Sequence, residues 1–323
     1  EGTIVFRVLG PADGQGEMEV NVISVTYPPN ENALVWDVHA SRAGSATVRI
    51  SYLLGGLTNS FAYRAVAGPD EQTLTLQQHL RVKNFAAEAY ADTTVYAGFG
   101  ENFARPIGSN ETRQMLAAEY DNVPVVKAYT VDPNAIGYLD RDDDKLRTAM
   151  HYVLENTEEQ GLGREDLPPG KVRIFQQDRR GTSAFLGEDI GRFTPVGDEM
   201  RLYVGVAQDV VVRRTIDERR VERKGGNLHD VHVIVKYEIE NFKDDEIPLD
   251  FVENINQLRS ETNISRNQPP SWKLGPETTF AGKPDPERSS MNQLVMRADL
   301  PARDGDEADT ITHKLHLVFE DQW

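Results

Sequence analysis

The sequence predicts a mostly β protein made of two antiparallel β-sandwich domains, immunoglobulin-like, with little helix. Three observations favour this fold class: apolar and polar residues alternate with a period of two, turn-forming residues separate the alternating segments, and helical periodicity is sparse. Successive side chains of a strand point to opposite faces, so this alternation indicates strands with one side in a core and the other in water. Short strands without intervening helical patterns are typical of β-sandwiches.

The alternating segments extend along most of the chain and occupy residues 46–54, 200–206, 231–239 and 311–319. In the last of these, the alternation places His313 on the core side and His316 on the outer face. Two further segments need a decision between helix and strand. Residues 148–155 are interpreted as a strand, whereas residues 112–120 contain good helix formers and leave both structures open.

Glycine and proline divide the chain into two predicted domains. They concentrate in residues 161–170, which read GLGREDLPPG, and this composition favours a boundary. The first domain is predicted to span residues 1–165 and to include a strand near residues 3–9. The second is predicted to span residues 166–323, with a long irregular excursion near residues 257–288 where five prolines occur.

Composition and charge exclude several classes of partner. The 52 acidic and 35 basic residues give a net charge of −17, which repels phosphate backbones and anionic membrane surfaces, so no nucleic acid partner is expected. The absence of cysteine excludes disulfides and thiolate metal sites. No apolar run reaches the ~18 residues of a membrane span. The chain begins with Glu1 and carries no leader sequence, which is expected after removal of an export signal or after trimming.

Several short motifs follow one another in a characteristic order: Ile50-Ser51-Tyr52-Leu53 with Gly55-Gly56-Leu57, Glu155-Asn156, Gly161-Leu162-Gly163, Leu167-Pro168-Pro169-Gly170-Lys171-Val172-Arg173, Leu202-Tyr203-Val204-Gly205, and Val235-Lys236-Tyr237-Glu238. In this order they resemble the C-terminal domain of the bacterial mucoidy-inhibitor-like family, a domain of unknown function. The resemblance implies a β fold and an exported protein that is periplasmic, on the cell surface or extracellular. It implies no reaction. The chain departs from the family at Asn59, where an aromatic residue is usual, and it lacks the heptads of a coiled-coil arm.

The candidate ligand sites are few. Asp304, Asp306 and Asp309 lie in an acidic loop that could supply oxygen ligands to calcium, although a solvated turn explains such a run more simply. The two histidine pairs, His229 with His232 and His313 with His316, are each spaced by three residues. Residues at that spacing on a strand face opposite ways, so neither pair can chelate a metal alone. No catalytic residue and no cofactor other than calcium is predicted.

Two segments are candidates for protein contacts. Residues 213–224 form a basic island in an acidic chain and are predicted to be a β-ribbon that is wet on both faces, with Arg214, Arg219, Arg220 and Arg223 as contact residues. These cations either form cross-strand ion pairs or bind the acidic surface of a neighbouring subunit. The strand near residues 3–9 is apolar on both faces. It therefore either completes its own sheet or joins the edge of another copy through Ile4, Phe6 and Val8.

These observations predict an exported, non-catalytic structural or interaction protein of the cell envelope or extracellular layer that assembles with itself through β-edges. Its expected partner is a second copy or another envelope protein. Two alternatives remain open: a secreted hydrolase with a carboxylate site between the domains, and a calcium-stabilised adhesion module.

Overall fold

The protein is mostly β, as predicted. The computed structural model describes residues 4–11, 18–28, 34–86, 88–96, 103–135, 138–140, 143–265, 269–304 and 308–323. Strands account for 62% of the residues and helix for 3%, and the sheets are curled. The segment at residues 112–120, which the sequence left open, is a strand, and residues 148–155 are a strand as predicted.

The strands and the single α-helix of the described residues follow in chain order: β1 (Val5–Pro11), β2 (Val20–Thr26), β3 (Val35–Ala40), β4 (Ala46–Ser51), β5 (Leu57–Ala67), β6 (Thr73–Asn84), β7 (Thr94–Val95), β8 (Phe103–Ala104), β9 (Thr112–Pro124), β10 (Val126–Val131), β11 (Tyr138–Asp140), β12 (Asp143–Glu155), β13 (Gly170–Gln177), β14 (Ser183–Gly191), β15 (Glu199–Gly225), β16 (Leu228–Asn241), β17 (Ile247–Asn254), α1 (Ile255–Glu261), β18 (Trp272–Leu274), β19 (Gln293–Leu300) and β20 (Thr310–Gln322).

The chain forms two compact units. Unit 1 consists of Glu1–Thr58, Lys83–Ala91 and Ile107–Glu111, and unit 2 consists of Asn59–Val82, Asp92–Pro106 and Thr112–Trp323. The boundary predicted at residue 165 lies inside unit 2. Strands from both sides of that position share sheets there, because β12 pairs with β15 and β5 pairs with β13.

The main sheet of unit 2 has nine strands in the order β18-β20-β16-β15-β12-β10-β17-β19, and β11 pairs with β12 beside this path. Its longest strand, β15, has 27 residues and pairs with β12 and then with β16. The core lies on one face of this sheet and includes Val212, Val233, Tyr237, Phe251 and Leu317. These residues alternate along their strands, as the period-two pattern predicts, but several residues between them, among them Ile234, His316 and Val318, are buried too.

A second sheet has five strands in the order β14-β13-β5-β6-β9. Along β6, half-buried and buried residues alternate without interruption, and β13 runs parallel to β5. The edge strand β14 also packs against the start of β15, so this sheet adjoins the nine-stranded one within unit 2. This contact forms one wall of the cleft described below.

The segment predicted as an irregular excursion is partly regular. It begins in α1, and β18 then adds to the edge of the large sheet, with Trp272 opposite Phe319. The residues after β18 cover His316, whose backbone carbonyl accepts a hydrogen bond of 2.8 Å from the Gly275 N–H. His316 is 0% exposed, so the prediction that it faces out is wrong. His313 does lie on the core side, where its ring stacks on Phe280.

Unit 1 contains two antiparallel ribbons of two strands each, β1 with β4 and β2 with β3. None of the residues described between positions 4 and 58 is buried. The ring of Phe6 contacts that of Trp36, with centroids 5.4 Å apart. Two-stranded ribbons are at best marginally stable in water, so this unit has little core of its own.

A buried asparagine organises the turn-rich block that carries the family resemblance. Asn156 is 0% exposed, and its Oδ1 accepts a hydrogen bond of 2.9 Å from the Gly163 N–H. Its Nδ2 donates to the carbonyls of Glu165 and Thr194, at 3.0 and 3.1 Å. The side chain therefore fixes the loop between β12 and β13 to the residues that precede β15. Gly161 and Gly163 both have φ +77°, a conformation that glycine adopts without strain.

We expect Gly163→Ala to destabilise the protein more than Gly161→Ala. Both substitutions place alanine at positive φ, which costs about 1–2 kcal/mol. A Cβ at Gly163 would also lie 2.3 Å from the backbone nitrogen of Glu158, whereas a Cβ at Gly161 would meet nothing within 4 Å. Such overpacking adds about 1–3 kcal/mol. Urea unfolding of the two variants measures the difference, and equal stabilities would contradict the steric argument.

Candidate functional site

A cleft of about 960 Å³ opens within unit 2, between the start of β15, the end of β14 and the strands β10 and β12. Such volumes fall within the ~300–1,000 Å³ that small-molecule sites occupy. Its lining mixes apolar, cationic and acidic side chains: Thr130, Asp132, Ala135, Ala149, His151, Asp189, Ile190, Arg192, Thr194, Glu199, Met200, Arg201, Tyr203, Val252, Arg288 and Gln293.

A β-bulge shapes the floor of this cleft. The register between β12 and β15 shifts between Met150 and His151, so that Met150 lies opposite Gly205 but His151 lies opposite Tyr203. The two rings meet edge to face, with centroids 5.7 Å apart. Bulges redirect side chains and are frequent beside binding sites. The Tyr203 N–H donates to Oδ2 of Asp189 at 2.7 Å, and this bond joins β15 to β14.

His151 is neutral at neutral pH. Burial lowers the pKa of its imidazole, and the nearby guanidiniums of Arg201 and Arg288 lower it further, while Asp189 opposes the shift. Its Nδ1 is buried and forms no hydrogen bond to the part of the chain that the structure describes. The cleft lining therefore includes a neutral imidazole that is close enough to two cations for them to lower its pKa.

The wall opposite His151 is fixed by an ion-pair cluster. Arg288 and Arg297 both bind the carboxylate of Asp250, the latter at 2.7 Å. Burial raises the pKa of the Asp250 carboxyl, but the hydrogen bonds from Arg297 and Arg288 outweigh it and hold the pKa below its ordinary value. Charge-assisted bonds of this kind are stronger than neutral ones. Arg288 is thus held in place at the rim of the cleft.

Nothing in the sequence identified these cleft residues. They come from six strands and three connecting segments and show no motif spacing. A usable signal was the strand from Glu199 to Tyr203, where charged and aromatic residues occupy alternate positions. The partners across the bulge depend on the register of β12 with β15, which the sequence pattern does not determine.

The sequence placed Arg214 on an exposed ribbon, and this is wrong. Its side chain is buried, at 5% exposure, and binds Glu253 through Nε at 2.9 Å and Nη2 at 2.7 Å. Nη2 also donates to Glu261 at 2.8 Å, and the Tyr237 hydroxyl donates to Glu253 at 2.5 Å. Burial lowers the pKa of Arg214, but the carboxylates outweigh it and the pKa is raised. Arg214 is a structural residue because β15 directs it under α1 and not into water.

We expect Arg214→Ala to lower the free energy of unfolding by about 3–5 kcal/mol, because it leaves the buried Glu253 without its cation. Arg223→Ala is the matched control. Arg223 is exposed, and exposed substitutions usually change stability by less than about 0.5 kcal/mol. Chemical denaturation measures both variants. A loss at Arg214 no larger than at Arg223 would show that the ion pair does not stabilise the fold.

The rest of the basic island lies at the exposed end of the β15–β16 hairpin. Arg219 Nε donates to the Thr262 carbonyl at 2.7 Å, and Arg220 pairs with Glu277 at 2.7 Å and with Glu218 at 3.3 Å. Both arginines therefore have partners in their own chain, but among the described residues neither forms a cross-strand ion pair, because Arg219 binds a backbone carbonyl and the partners of Arg220 lie in β15 itself and after β18. Arg223 forms no ion pair with any residue that the structure describes.

The predicted contact residues at the N-terminal strand lie in unit 1. Ile4, Phe6 and Val8 are half-buried, whereas the alternating residues Val5 and Leu9 are exposed at 60% and 50%. The face available to a partner is therefore the one formed by Val5 and Leu9.

Of the calcium candidates, Asp304 and Asp309 are exposed, and Asp306 lies outside the described residues. Within the described ranges, no group of three or more His, Asp or Glu side chains is placed to bind a metal ion. Calcium binding at this loop stays a prediction.

Two histidines from different strands form a hydrogen-bonded chain. His232 Nδ1 lies 3.0 Å from His316 Nε2, and His232 Nε2 lies 3.1 Å from Glu222. His316 Nδ1 accepts from the Glu277 N–H at 3.3 Å. Burial lowers the pKa of His316, and the neighbouring His232 and Arg220 lower it too, while Glu277 raises it. The buried imidazole is thus neutral in the folded protein.

We expect the free energy of unfolding to fall as the pH drops below about 6.5, the ordinary pKa of histidine. Below that value the unfolded chain binds a proton that folded His316 resists, so protonation favours unfolding. His316→Asn should weaken this dependence between about pH 7 and pH 5 without abolishing it, because His151 also has a lowered pKa, and the exposed His39→Asn should leave it unchanged. Denaturation at several pH values tests this. A wild-type curve that is flat over this interval would refute it.

No protein-family model, no curated protein and no solved structure matches the chain. The resemblance to the mucoidy-inhibitor-like family therefore stays a prediction. Among the described residues, no helix is long and apolar enough to cross a membrane.

Proposed function

We propose that the chain is an exported, non-catalytic interaction protein of the cell envelope or extracellular layer, which assembles with itself through unit 1. The observation that carries the proposal is the uncovered apolar surface of this unit. Among the residues described between positions 4 and 58, fourteen large apolar ones are exposed: Val5, Leu9, Val22, Ile23, Val25, Tyr27, Val35, Val38, Val48, Ile50, Tyr52, Leu53, Leu54 and Leu57. Large exposed apolar patches mark interaction sites in soluble proteins.

Charge favours a second copy as the occupant. Arg7 lies directly opposite Arg49 in the β1–β4 ribbon, and both are exposed. Like charges facing each other across a ribbon are destabilising. Neither arginine forms an ion pair with the described part of the chain. A surface rich in carboxylates would neutralise both, and a second copy of a chain with net charge −17 supplies one.

The geometry of the ribbons also favours a second copy of the chain as the partner. The β1–β4 and β2–β3 ribbons have two strands each, so each strand has an edge that can pair with another strand through its backbone groups. The compartment rests on the predicted family resemblance. The proposal also retains the arrangement of two immunoglobulin-like sandwiches as its architectural expectation.

We expect Val5→Glu to abolish self-association, because it places a charge on the apolar face beside Arg7. Val126→Glu is the matched control, since Val126 in β10 of unit 2 is also 60% exposed. Sedimentation velocity over a wide range of protein concentration measures both variants against the unaltered chain. A chain that remains monomeric throughout would overturn the proposal. So would equal weakening by the two substitutions, because the contact would then not lie on unit 1.

A further inference from the structure

The cleft around His151 and Tyr203 has polar groups that neither the core nor the self-contact uses. We propose that it binds a small organic molecule bearing a single carboxylate. This inference goes beyond the proposed function and does not depend on it, because every lining residue belongs to unit 2.

Two arginines that line the cleft, Arg192 and Arg201, have N–H donors that form no hydrogen bond with the described part of the chain. The exposed side chain of Arg192 forms no hydrogen bond or ion pair within the described part of the chain. Arg201 makes one contact, from Nη1 to Glu199 at 3.2 Å. A guanidinium has five N–H donors in a planar fork that matches the two oxygens of a carboxylate. The cleft therefore offers donors of the right geometry for that group.

Of the three carboxylates that line the cleft, Glu199 pairs with Arg201, and the other two accept hydrogen bonds from the protein backbone. Asp189 accepts from the Tyr203 N–H through Oδ2 and from the Ile190 N–H through Oδ1, at 2.7 and 2.8 Å. Asp132 Oδ1 accepts from the Asn134 N–H at 2.9 Å. These acids hold the walls in place, and their charge opposes a ligand with several negative charges. A monoanion can bind the arginines with less of that repulsion than a dianion.

The remaining surface favours an apolar or aromatic body on the ligand. Met200 and Val252 contribute apolar walls, and the edge-to-face pair of His151 and Tyr203 provides aromatic surface. Small-molecule sites commonly combine such walls with a few convergent polar groups. An aryl carboxylate therefore matches both parts of the cleft, so benzoate is a suitable probe.

The test is a titration of the whole chain with benzoate, followed by calorimetry and by the NMR signals of the ligand. Benzamide, which has the same shape without the charge, and inorganic phosphate serve as comparison ligands. Benzoate should bind more tightly than either. Arg192→Gln should weaken benzoate binding roughly tenfold, because it removes a charge-assisted hydrogen bond. Arg223→Gln, an exposed arginine far along β15, should leave binding unchanged.

Circular dichroism of both variants checks that they fold. The proposal is overturned if benzoate does not bind or if benzamide or phosphate binds as tightly. It is also overturned if the Arg192 and Arg223 variants bind benzoate alike. The Val5→Glu variant should bind benzoate normally, so failure of the self-assembly proposal and failure of this one are distinguishable.

Discussion

Pairing along β15 is the constraint on which unit 2 depends. At its start, this strand pairs with β12 and forms the floor of the cleft, and its later part pairs with β16. In its middle it carries Arg214 into the core, where the guanidinium meets Glu253. A shift of one residue in its pairing would turn every side chain to the other face. It would expose Val212 and remove Arg214 from its carboxylate, so the buried ion pair penalises the wrong register.

The sequence predicts the strands of this protein well because a strand is a local pattern. The alternation at residues 231–239 and 311–319 depends only on which face each side chain takes, and both segments are strands. Residues 112–120 are a segment whose local sequence does not determine its secondary structure. Their helix formers lie in β9, at the edge of the five-stranded sheet, where Met115, Ala117 and Tyr120 are buried. Burial against neighbouring strands outweighs a weak helix propensity.

What the sequence could not predict depends on contacts distant along the chain. Arg214 belongs to the basic run of residues 213–224 and looks exposed in the sequence. It is buried because it binds Glu253 of β17 and Glu261 of α1. The period-two pattern places His316 on the outer face of its strand. The segment after β18, about forty positions earlier in the chain, covers that face. The glycines and prolines of residues 161–170 correctly indicate turns. They do not indicate a boundary, because a buried Asn156 fastens that loop within one unit. The cleft residues were missed for the same reason, since they come from strands and connecting segments that are distant along the chain.

The two units differ in how far they bury their apolar residues, and this difference explains why we propose different roles for them. In unit 2, the nine-stranded sheet buries a large core on one face, and the buried residues of the five-stranded sheet lie outside that cluster. The polar side chains that remain available for binding line the cleft. In unit 1, the two-stranded ribbons cover each other incompletely, and like charges face each other at Arg7 and Arg49. Burial of apolar surface stabilises a protein by roughly 25 cal/mol per Å². The apolar area of unit 1 that stays in water makes no such contribution. A partner that covers these ribbons would gain that contribution at every residue it buries. The self-contact proposed for unit 1 and the ligand site proposed for unit 2 involve different residues, so each can be tested without the other.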